Sequence, residues 1–280
     1  MRATMTRPMT CSAIQRSLPR RHQAGLTLVE IMVSLTLGLI VLLAIGSIYV
    51  GSRQTYRAQE DNARLQEAGR YALEVIGRSI RQAGADAEMN FNPVAITLEC
   101  VPPVCTAITG TNGAAPVTDT LAVQFYAGRE ELNAGAWFTR DCTGGLVAAN
   151  TLITNTFSIN ANDLRCTGSQ GGAQALISDV EDFQVVYGID TTGDQSANQY
   201  VAAPANWAQV VTARVCVQIR SANTGLTSAP QRFLNCAGAL GTVDATLAAG
   251  GLSDAAAGDL RLRRSFVATY NLRNRINAMP

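Results

Sequence analysis

The sequence predicts an α+β protein in which one long N-terminal α-helix packs on an antiparallel β-sheet head. Residues 26–50 form an apolar run that is long enough for a membrane helix. Residues 51–84 are polar but repeat small and apolar side chains every three or four positions, which is helical spacing. Residues 85–280 carry segments in which apolar and polar residues alternate, as in half-buried strands. The predicted organisation is a leader at 1–25, two helix halves and a β-rich head.

The apolar run from Leu26 to Val50 is interrupted by a single charge, Glu30. At about 1.5 Å per residue, it spans a bilayer as a helix. Five arginines and no acidic residue precede it, so this end is expected to stay in the cytoplasm and the head to lie across the membrane. Arg53 and Arg57, just beyond the run, weaken this charge bias.

Three interpretations of this segment compete. The first is a cleaved secretory signal, whose apolar core is usually about 7 to 15 residues long and ends in a small-x-small site. Ala44-Ile45-Gly46 would supply that site, but a carboxylate opens the run and apolar residues continue beyond it. The second is a plain uncleaved membrane anchor.

The third interpretation starts from the residues Gly25-Leu26-Thr27-Leu28-Val29-Glu30. They resemble the prepilin signature of type IV pilins and type II secretion pseudopilins. The resemblance implies that a prepilin peptidase removes residues 1–25 by cutting after Gly25 and methylates the amino group of Leu26. The family most often has Phe at this first mature position, and Leu26 is a tolerated departure. The resemblance also implies that Glu30 pairs with the free amino terminus of a neighbouring subunit and guides assembly.

The chemistry of Glu30 favours a functional role without reference to any family. A charged side chain in a membrane helix costs about 2.5 to 3.5 kcal/mol at the bilayer centre and less near an end, so such residues are usually functional. In the first helical turn the carboxylate also meets the positive end of the helix dipole. The simpler alternative is a carboxylate at the lipid boundary that only contacts water.

The helix is predicted to continue beyond the membrane, from about Leu26 to Ala83. Small and apolar residues recur at three- and four-residue steps, which are Leu65, Ala68, Ala72, Val75 or Ile76, Ile80 and Ala83. Gly84 then offers a stop. The expected apolar stripe lies under the head.

Three segments resemble minor pilins of the PilW type: Tyr56 to Gly84, Asp179 to Asp190 and Leu262 to Arg275. This resemblance implies a pilin-like fold and a minor pilin that takes part in type IV pilus assembly or initiation. The implied partners are the prepilin peptidase, other minor pilins, the major pilin and the inner-membrane assembly platform, with no direct contact to nucleic acid. The chain would cross the inner membrane once, with its C-terminal head in the periplasm, and enter the pilus. The alternatives are a type II secretion pseudopilin and a membrane-anchored adhesin-like binding head.

Alternation predicts several strands in the head. The clearest are Val211 to Ile219 and Leu262 to Leu272, and further candidates are Thr120 to Tyr126, Thr151 to Ile159 and Phe183 to Ile189. Stretches rich in Gly, Ala, Ser and Asn are expected to be surface loops. These stretches are Thr109 to Pro116, Thr167 to Gln174, Thr191 to Asn198 and Gly238 to Gly258.

The head holds an even number of cysteines. They are Cys100, Cys105, Cys142, Cys166, Cys216 and Cys236. Without histidine nearby, this set favours disulfides in an oxidising compartment. Sequence-neighbour pairing is favoured, most clearly between Cys100 and Cys105, while a zinc site seeded by that pair is the alternative.

Composition excludes several chemistries. The chain has no lysine, so P-loop and Schiff-base mechanisms are excluded, and its one histidine, His22, lies in the leader. Without the leader, the chain has 17 of its 22 arginines and all 21 acidic residues, which gives a net charge of −4. This charge argues against nucleic-acid binding. We therefore expect no enzyme activity, no catalytic residues, no metal and no cofactor.

Three charged clusters have simple interpretations. Asp190-Thr-Thr-Gly-Asp194 resembles the start of a calcium loop, but its glycine comes too early and its twelfth position is Val201, so a β-turn is preferred. Adjacent Glu130 and Glu131 are assigned to a solvated turn. Five C-terminal arginines are expected on a solvated strand face rather than in a docking patch: Arg261, Arg263, Arg264, Arg273 and Arg275.

Overall fold

The computed structural model describes residues 25, 27–85, 87–89, 96–98, 105–113, 118–128, 130–133, 136–240 and 252–275. Contacts divide the chain into two units, Met1–Ser52 and Arg53–Pro280. Leu26 lies outside the described residues, as do Cys11, His22 and Cys100.

The first unit consists, in its described part, of the start of helix α1, which runs from Leu28 to Gln82. This agrees with the predicted helix from Leu26 to Ala83 to within two residues. The apolar side chains between Leu28 and Val50 are exposed, and the helix is long and apolar enough to cross a membrane by length and composition.

The C-terminal end of α1 belongs to the second unit. Gly84 has a φ of +71°, the left-handed conformation that glycine adopts without a steric penalty, and its N–H donates to the carbonyl of Gln124 at 2.8 Å. The predicted stop at Gly84 therefore follows from a helix-capping turn that also attaches the helix to the head.

Sixteen strands are described in the head. They are β1 (Ala87–Met89), β2 (Ile96–Leu98), β3 (Ile108–Thr111), β4 (Thr120–Tyr126), β5 (Glu130–Asn133), β6 (Ala136–Arg140), β7 (Leu146–Ala148), β8 (Leu152–Asn160), β9 (Asp163–Thr167), β10 (Ala173–Ile177), β11 (Val180–Ile189), β12 (Gln199–Val201), β13 (Val210–Arg220), β14 (Arg232–Leu234), β15 (Leu252–Asp254) and β16 (Arg263–Asn271). Their described pairings are antiparallel. With α1, they form the predicted α+β architecture.

Two sheets form most of the core. One has the order β12-β11-β13-β16 and the other the order β10-β9-β8-β4-β3. The five strands predicted by alternation correspond to β4, β8, β11, β13 and β16. Leu65, Ala72, Ile76, Ile80 and Ala83 of the predicted helical stripe are buried in the same core.

Helix α1 fits against β16 at two glycines. A Cβ built on Gly69 would lie 2.3 Å from the ring of Phe266, and one on Gly77 would lie 2.3 Å from the ring of Tyr270. The Tyr270 hydroxyl also donates to the carbonyl of Leu73 at 2.6 Å. Aromatic side chains of the strand therefore sit directly on the helix backbone, which only glycine allows at these positions.

Alternation predicted one exposed face on β13, and this expectation is wrong for Cys216 and Gln218, both of which are buried. A short helix, α2 (Cys236–Leu240), packs on that face with Leu240, Ala202 and Val186. A disulfide between Cys216 and Cys236 attaches the helix to the strand. The sheet is therefore covered on both faces along part of its length.

Four cysteines of the head are bonded to their sequence neighbours. The structure contains the disulfides Cys142–Cys166 and Cys216–Cys236. Cys105 is also disulfide-bonded, while its predicted pairing with Cys100 falls outside the described residues. Within the described residues no group of three His, Cys, Asp or Glu side chains is arranged to hold a metal.

Three of the predicted loops contain regular structure. Thr109 to Pro116 begins with most of β3, Thr167 to Gln174 includes the end of β9 and the start of β10, and Gly238 to Gly258 includes part of α2 and β15. Short strands in Gly- and Ala-rich sequence carry weak alternation, which explains these errors. Thr191 to Asn198 is a loop, as predicted.

The assignment of Glu130 and Glu131 to a turn is also wrong, since they lie on β5, which pairs with β6. Two adjacent charged residues do not alternate with apolar ones, so the sequence gives no strand signal at this position.

Candidate assembly site

The start of α1 is built by a local hydrogen-bonding motif. The N–H of Glu30 donates to the Thr27 hydroxyl oxygen at 3.3 Å, and the N–H of Ile31 donates to the Thr27 carbonyl at 3.2 Å. Thr27 is therefore the N-cap of the helix, and Glu30 is its third residue. The spacing Thr-x-x-Glu is that of a capping box, a local signal that would have placed the helix start after Thr27 rather than at Leu26.

This geometry separates the predicted processing site from the predicted assembly residue. Gly25 is exposed and precedes the cap, outside the helix. Glu30 is exposed within the first turn, beside the unpaired N–H groups that give a helix start its positive potential. A cut after Gly25 would leave the capped helix intact and place the new amino terminus one residue before Thr27.

The apolar residues that follow form a continuous exposed surface. Leu28, Met32, Leu35 and Leu42 are each more than 60% exposed. An all-round apolar helix is stable only in lipid or against other apolar helices. Glu30 is the one charged residue between Leu28 and Val50.

In the head, the predicted arginine cluster divides into two kinds of residue. The side chain of Arg263 is only 7% exposed, its Nε and Nη2 donate to the two Glu181 oxygens at 2.7 and 2.9 Å, and Asp259 pairs with Nη2. Arg261 lies 3.8 Å from Asp179. The expectation of a solvated face is therefore wrong for these two arginines, because acidic partners distant in sequence come together with them in the fold.

Arg264 and Arg273 are exposed, as expected. The side chain of Arg275 lies outside the described residues. The cluster therefore combines a structural ion-pair network with two exposed cations.

The predicted turn at Asp190 is built by the carboxylate itself. Its oxygens accept hydrogen bonds from the backbone N–H groups of Thr192, Gly193 and Gln195 at 2.6 to 2.9 Å. These bonds hold the pKa of Asp190 below its usual value. A carboxylate already used by its own loop is a poor start for a calcium site.

One acidic group inside the head has a strongly shifted pKa. Asp119 is 2% exposed, and its oxygens accept from the N–H of Val185 at 2.7 Å and of Gly113 at 2.8 Å. Burial raises the pKa of Asp119 to about 6, although the two hydrogen bonds lower it. Nearby, burial also raises the pKa of the Tyr187 hydroxyl. Both groups are buried in the head, Asp119 at 2% and Tyr187 at 2% exposure.

Comparison with known proteins gives two family matches. The family described as Type IV Pilus-assembly protein W matches residues 138–274, and the prokaryotic N-terminal methylation motif matches residues 20–46. No curated protein matches the chain. Solved structures similar to it include a type IV-like pilin from Thermus thermophilus, at 15% identity and a TM-score of 0.45 over 75% of this chain and 98% of that chain.

The matched ranges contain the cap, the carboxylate and the central strands of the head. Residues 20–46 include Gly25, the Thr27 cap and Glu30, and residues 138–274 include β11, β13 and β16. The pilin family is structural, and its methylation motif implies processing by a peptidase, membrane anchoring and incorporation with other pilus components. Together, the two family matches support a PilW-type pilin, a minor pilin of type IV pilus assembly.

Proposed function

We propose that this chain is a structural subunit that helps to initiate pilus assembly and carries out no catalysis. The observation that carries the proposal is the start of α1, where a capped first turn presents Glu30 at the head of an exposed apolar helix. A carboxylate at this place has no partner on its own chain among the described residues. It is therefore available to an amino group of a neighbouring subunit.

Processing is the first step of the proposed function. The prepilin peptidase cuts between Gly25 and Leu26, removes the basic leader at 1–25 and methylates Leu26. Support comes from the exposed position of Gly25 before the Thr27 cap and from the methylation-motif match over residues 20–46.

Anchoring and assembly follow. Residues 26–50 cross the inner membrane once, residues 51–84 continue the helix, and the head from residue 85 lies in the periplasm. The disulfides of the head support an oxidising compartment. The proposed partners are other minor pilins, the major pilin and the inner-membrane assembly platform, and the subunit then enters the pilus.

The experiment that tests this proposal is the intact mass and amino-terminal sequence of the membrane-extracted protein, from cells with and without the prepilin peptidase. We expect a chain that begins at methylated Leu26 only when the peptidase is present. A start near Ser47, which follows the alternative secretory-signal site Ala44-Ile45-Gly46, or intact Met1 in both strains, would overturn the proposed processing. The variant Gly25→Val is the matched test of the site, because it should leave the chain uncut while the Thr27 cap and the helix remain.

A further inference from the structure

Strand β16 forms one edge of the four-stranded sheet, whose order is β12-β11-β13-β16. It pairs with β13 from Arg220 opposite Arg263 to Thr212 opposite Asn271, without a register shift. An edge strand presents a row of backbone N–H and C=O groups away from its sheet, and proteins usually protect such a row.

The hydrogen bonds of the Gln231 side chain show which backbone groups of β16 point away from β13. The amide of Gln231 accepts from the N–H of Arg263 at 2.6 Å and donates to its carbonyl at 3.2 Å, as a neighbouring strand would. The backbone of Arg263 therefore points away from β13. At the other end, the N–H of Leu272 donates to the carbonyl of Val211, the second residue of β13. The backbone N–H of Leu272 therefore points toward β13.

Because directions alternate along a regular antiparallel strand, the outward groups belong to Ser265, Val267, Thr269 and Asn271. Within the described residues, none of these four has a backbone hydrogen bond on that side. Gln231 thus satisfies the first outward position, and the outward backbone groups of the next four residues have no backbone partner among the described residues.

The usual protections of an edge are missing from this stretch. It contains no proline, no charged residue and no register shift between Ser265 and Asn271. Val267 is 37% exposed, and Thr269 and Asn271 are exposed. At Ser265 the side chain donates to the carbonyl of Leu234 on β14 at 2.6 Å, so β14 lies beside the start of the strand. Among the described residues, the edge from Val267 to Asn271 is neutral and regular and has no neighbouring strand on the side away from β13.

Charged residues lie at the start of the strand and just beyond its end. Arg264 makes one hydrogen bond, at 3.4 Å to Asn62, and neither it nor Arg273 has an ion pair with any described residue. A matching segment would therefore be uncharged in its centre and carry an acidic residue near each end.

We propose that the free edge of β16 receives an extended segment of another pilin subunit as a fifth strand of this sheet. The segment has a neutral centre of about five residues, rich in β-branched side chains, flanked by acidic residues that pair with Arg264 and Arg273. Backbone hydrogen bonds supply the attachment, and the two arginines select the partner. This proposal rests on the proposed function, since it names the contact by which the head joins its neighbours.

The test compares variants of the full-length protein expressed in its pilus-assembling cells. Val267→Pro removes one outward N–H and leaves the ladder to β13 in place, while Val267→Thr keeps the N–H and the β-branched shape. Val267→Lys is a second disrupting variant that keeps the N–H but places a charge on the edge. Measurements are the amount of each variant in sheared pili, the amino-terminal sequence, and backbone amide exchange in detergent and in assembled pili.

We expect Val267→Pro and Val267→Lys to be processed normally and to enter pili about tenfold less than the wild type, with Val267→Thr unaffected. In the wild type, the amides of Val267, Thr269 and Asn271 should be protected from exchange only after assembly. Normal assembly of both disrupting variants, or fast exchange of these amides in pili, would overturn the edge proposal alone. Failure of the wild type to be processed would instead overturn the proposed function. Equal unfolding temperatures in detergent exclude misfolding as the cause of a loss.

Discussion

At the scale of single residues, Asp119 joins the two main sheets of the head. Its own N–H donates to the carbonyl of Phe183 at 2.9 Å, and its carboxylate accepts from the N–H of Val185 on β11. Burial disfavours the charged form, and Asp182, whose pKa is also raised mainly by burial, adds negative charge nearby. The folded protein therefore binds the Asp119 proton more tightly than the unfolded chain does.

The pH dependence of stability follows from this shift. Since the pKa of Asp119 is about 6 in the fold and 3.8 ordinarily, the free energy of unfolding should rise as the pH falls from about 7 to about 4. The effect should be on the order of 1–2 kcal/mol after screening by solvent. Urea denaturation at several pH values measures it, and Asp119→Asn should flatten the slope. An unchanged slope in that variant would assign the effect to Asp182 or another group.

A second residue-scale prediction concerns the glycine at the helix–strand contact. Gly77→Ala should lower the free energy of unfolding by about 1–3 kcal/mol, because its Cβ would overlap the Tyr270 ring, against a gain of up to about 1 kcal/mol in helix propensity. Gly51→Ala on the same helix is the matched control, since its Cβ would meet nothing within 4 Å. Thermal unfolding in detergent measures both, and equal stability of the two variants would contradict the close contact.

At the scale of elements, α2 shows what local sequence patterns predict and what they miss. The strands β4, β8, β11, β13 and β16 were predicted because their alternation reflects one buried face. Burial of Cys216 on the opposite face was missed, because it depends on a five-residue helix that is too short to show a periodicity. Arg263 was assigned to solvent for a related reason, since its partner Glu181 lies 82 positions away in sequence. The Thr27 cap, in contrast, is entirely local and was predictable.

The attachment of α2 gives an element-scale prediction. Replacing Cys216 and Cys236 together by Ala should lower the free energy of unfolding by about 3 kcal/mol, since the bond closes a loop of 20 residues in the unfolded chain. The helix should also detach first, which amide exchange at Ala239 and Leu240 would detect. Slow exchange at these residues in the variant without the bond would show that packing on Val186 and Ala202 is enough to hold the helix.

At the scale of the whole molecule, the proposed function uses two sets of residues that are more than 200 positions apart in the sequence. In the proposed function, processing and anchoring belong to residues 25–50, whereas the proposed edge contact belongs to residues 263–271. The first set can be proposed from the sequence, because an apolar segment, a capped helix start and one carboxylate are adjacent in it. The edge was not predictable, because alternation does not reveal which strand of a sheet lacks a neighbour.

The whole-molecule prediction concerns Glu30. Glu30→Gln should be cut and methylated at Leu26 like the wild type, because the N–H of residue 30 still donates to Thr27 and the helix start is preserved. Its entry into pili should fall about tenfold or more, since a neutral amide loses the charge attraction to a neighbour's amino group. Glu60→Gln is the control, an exposed glutamate of the same helix whose partner is Arg64, four residues on, and it should assemble normally. Equal incorporation of Glu30→Gln and Glu60→Gln would show that Glu30 only contacts water at the lipid boundary, and assembly would then depend on the apolar helix surface and the head.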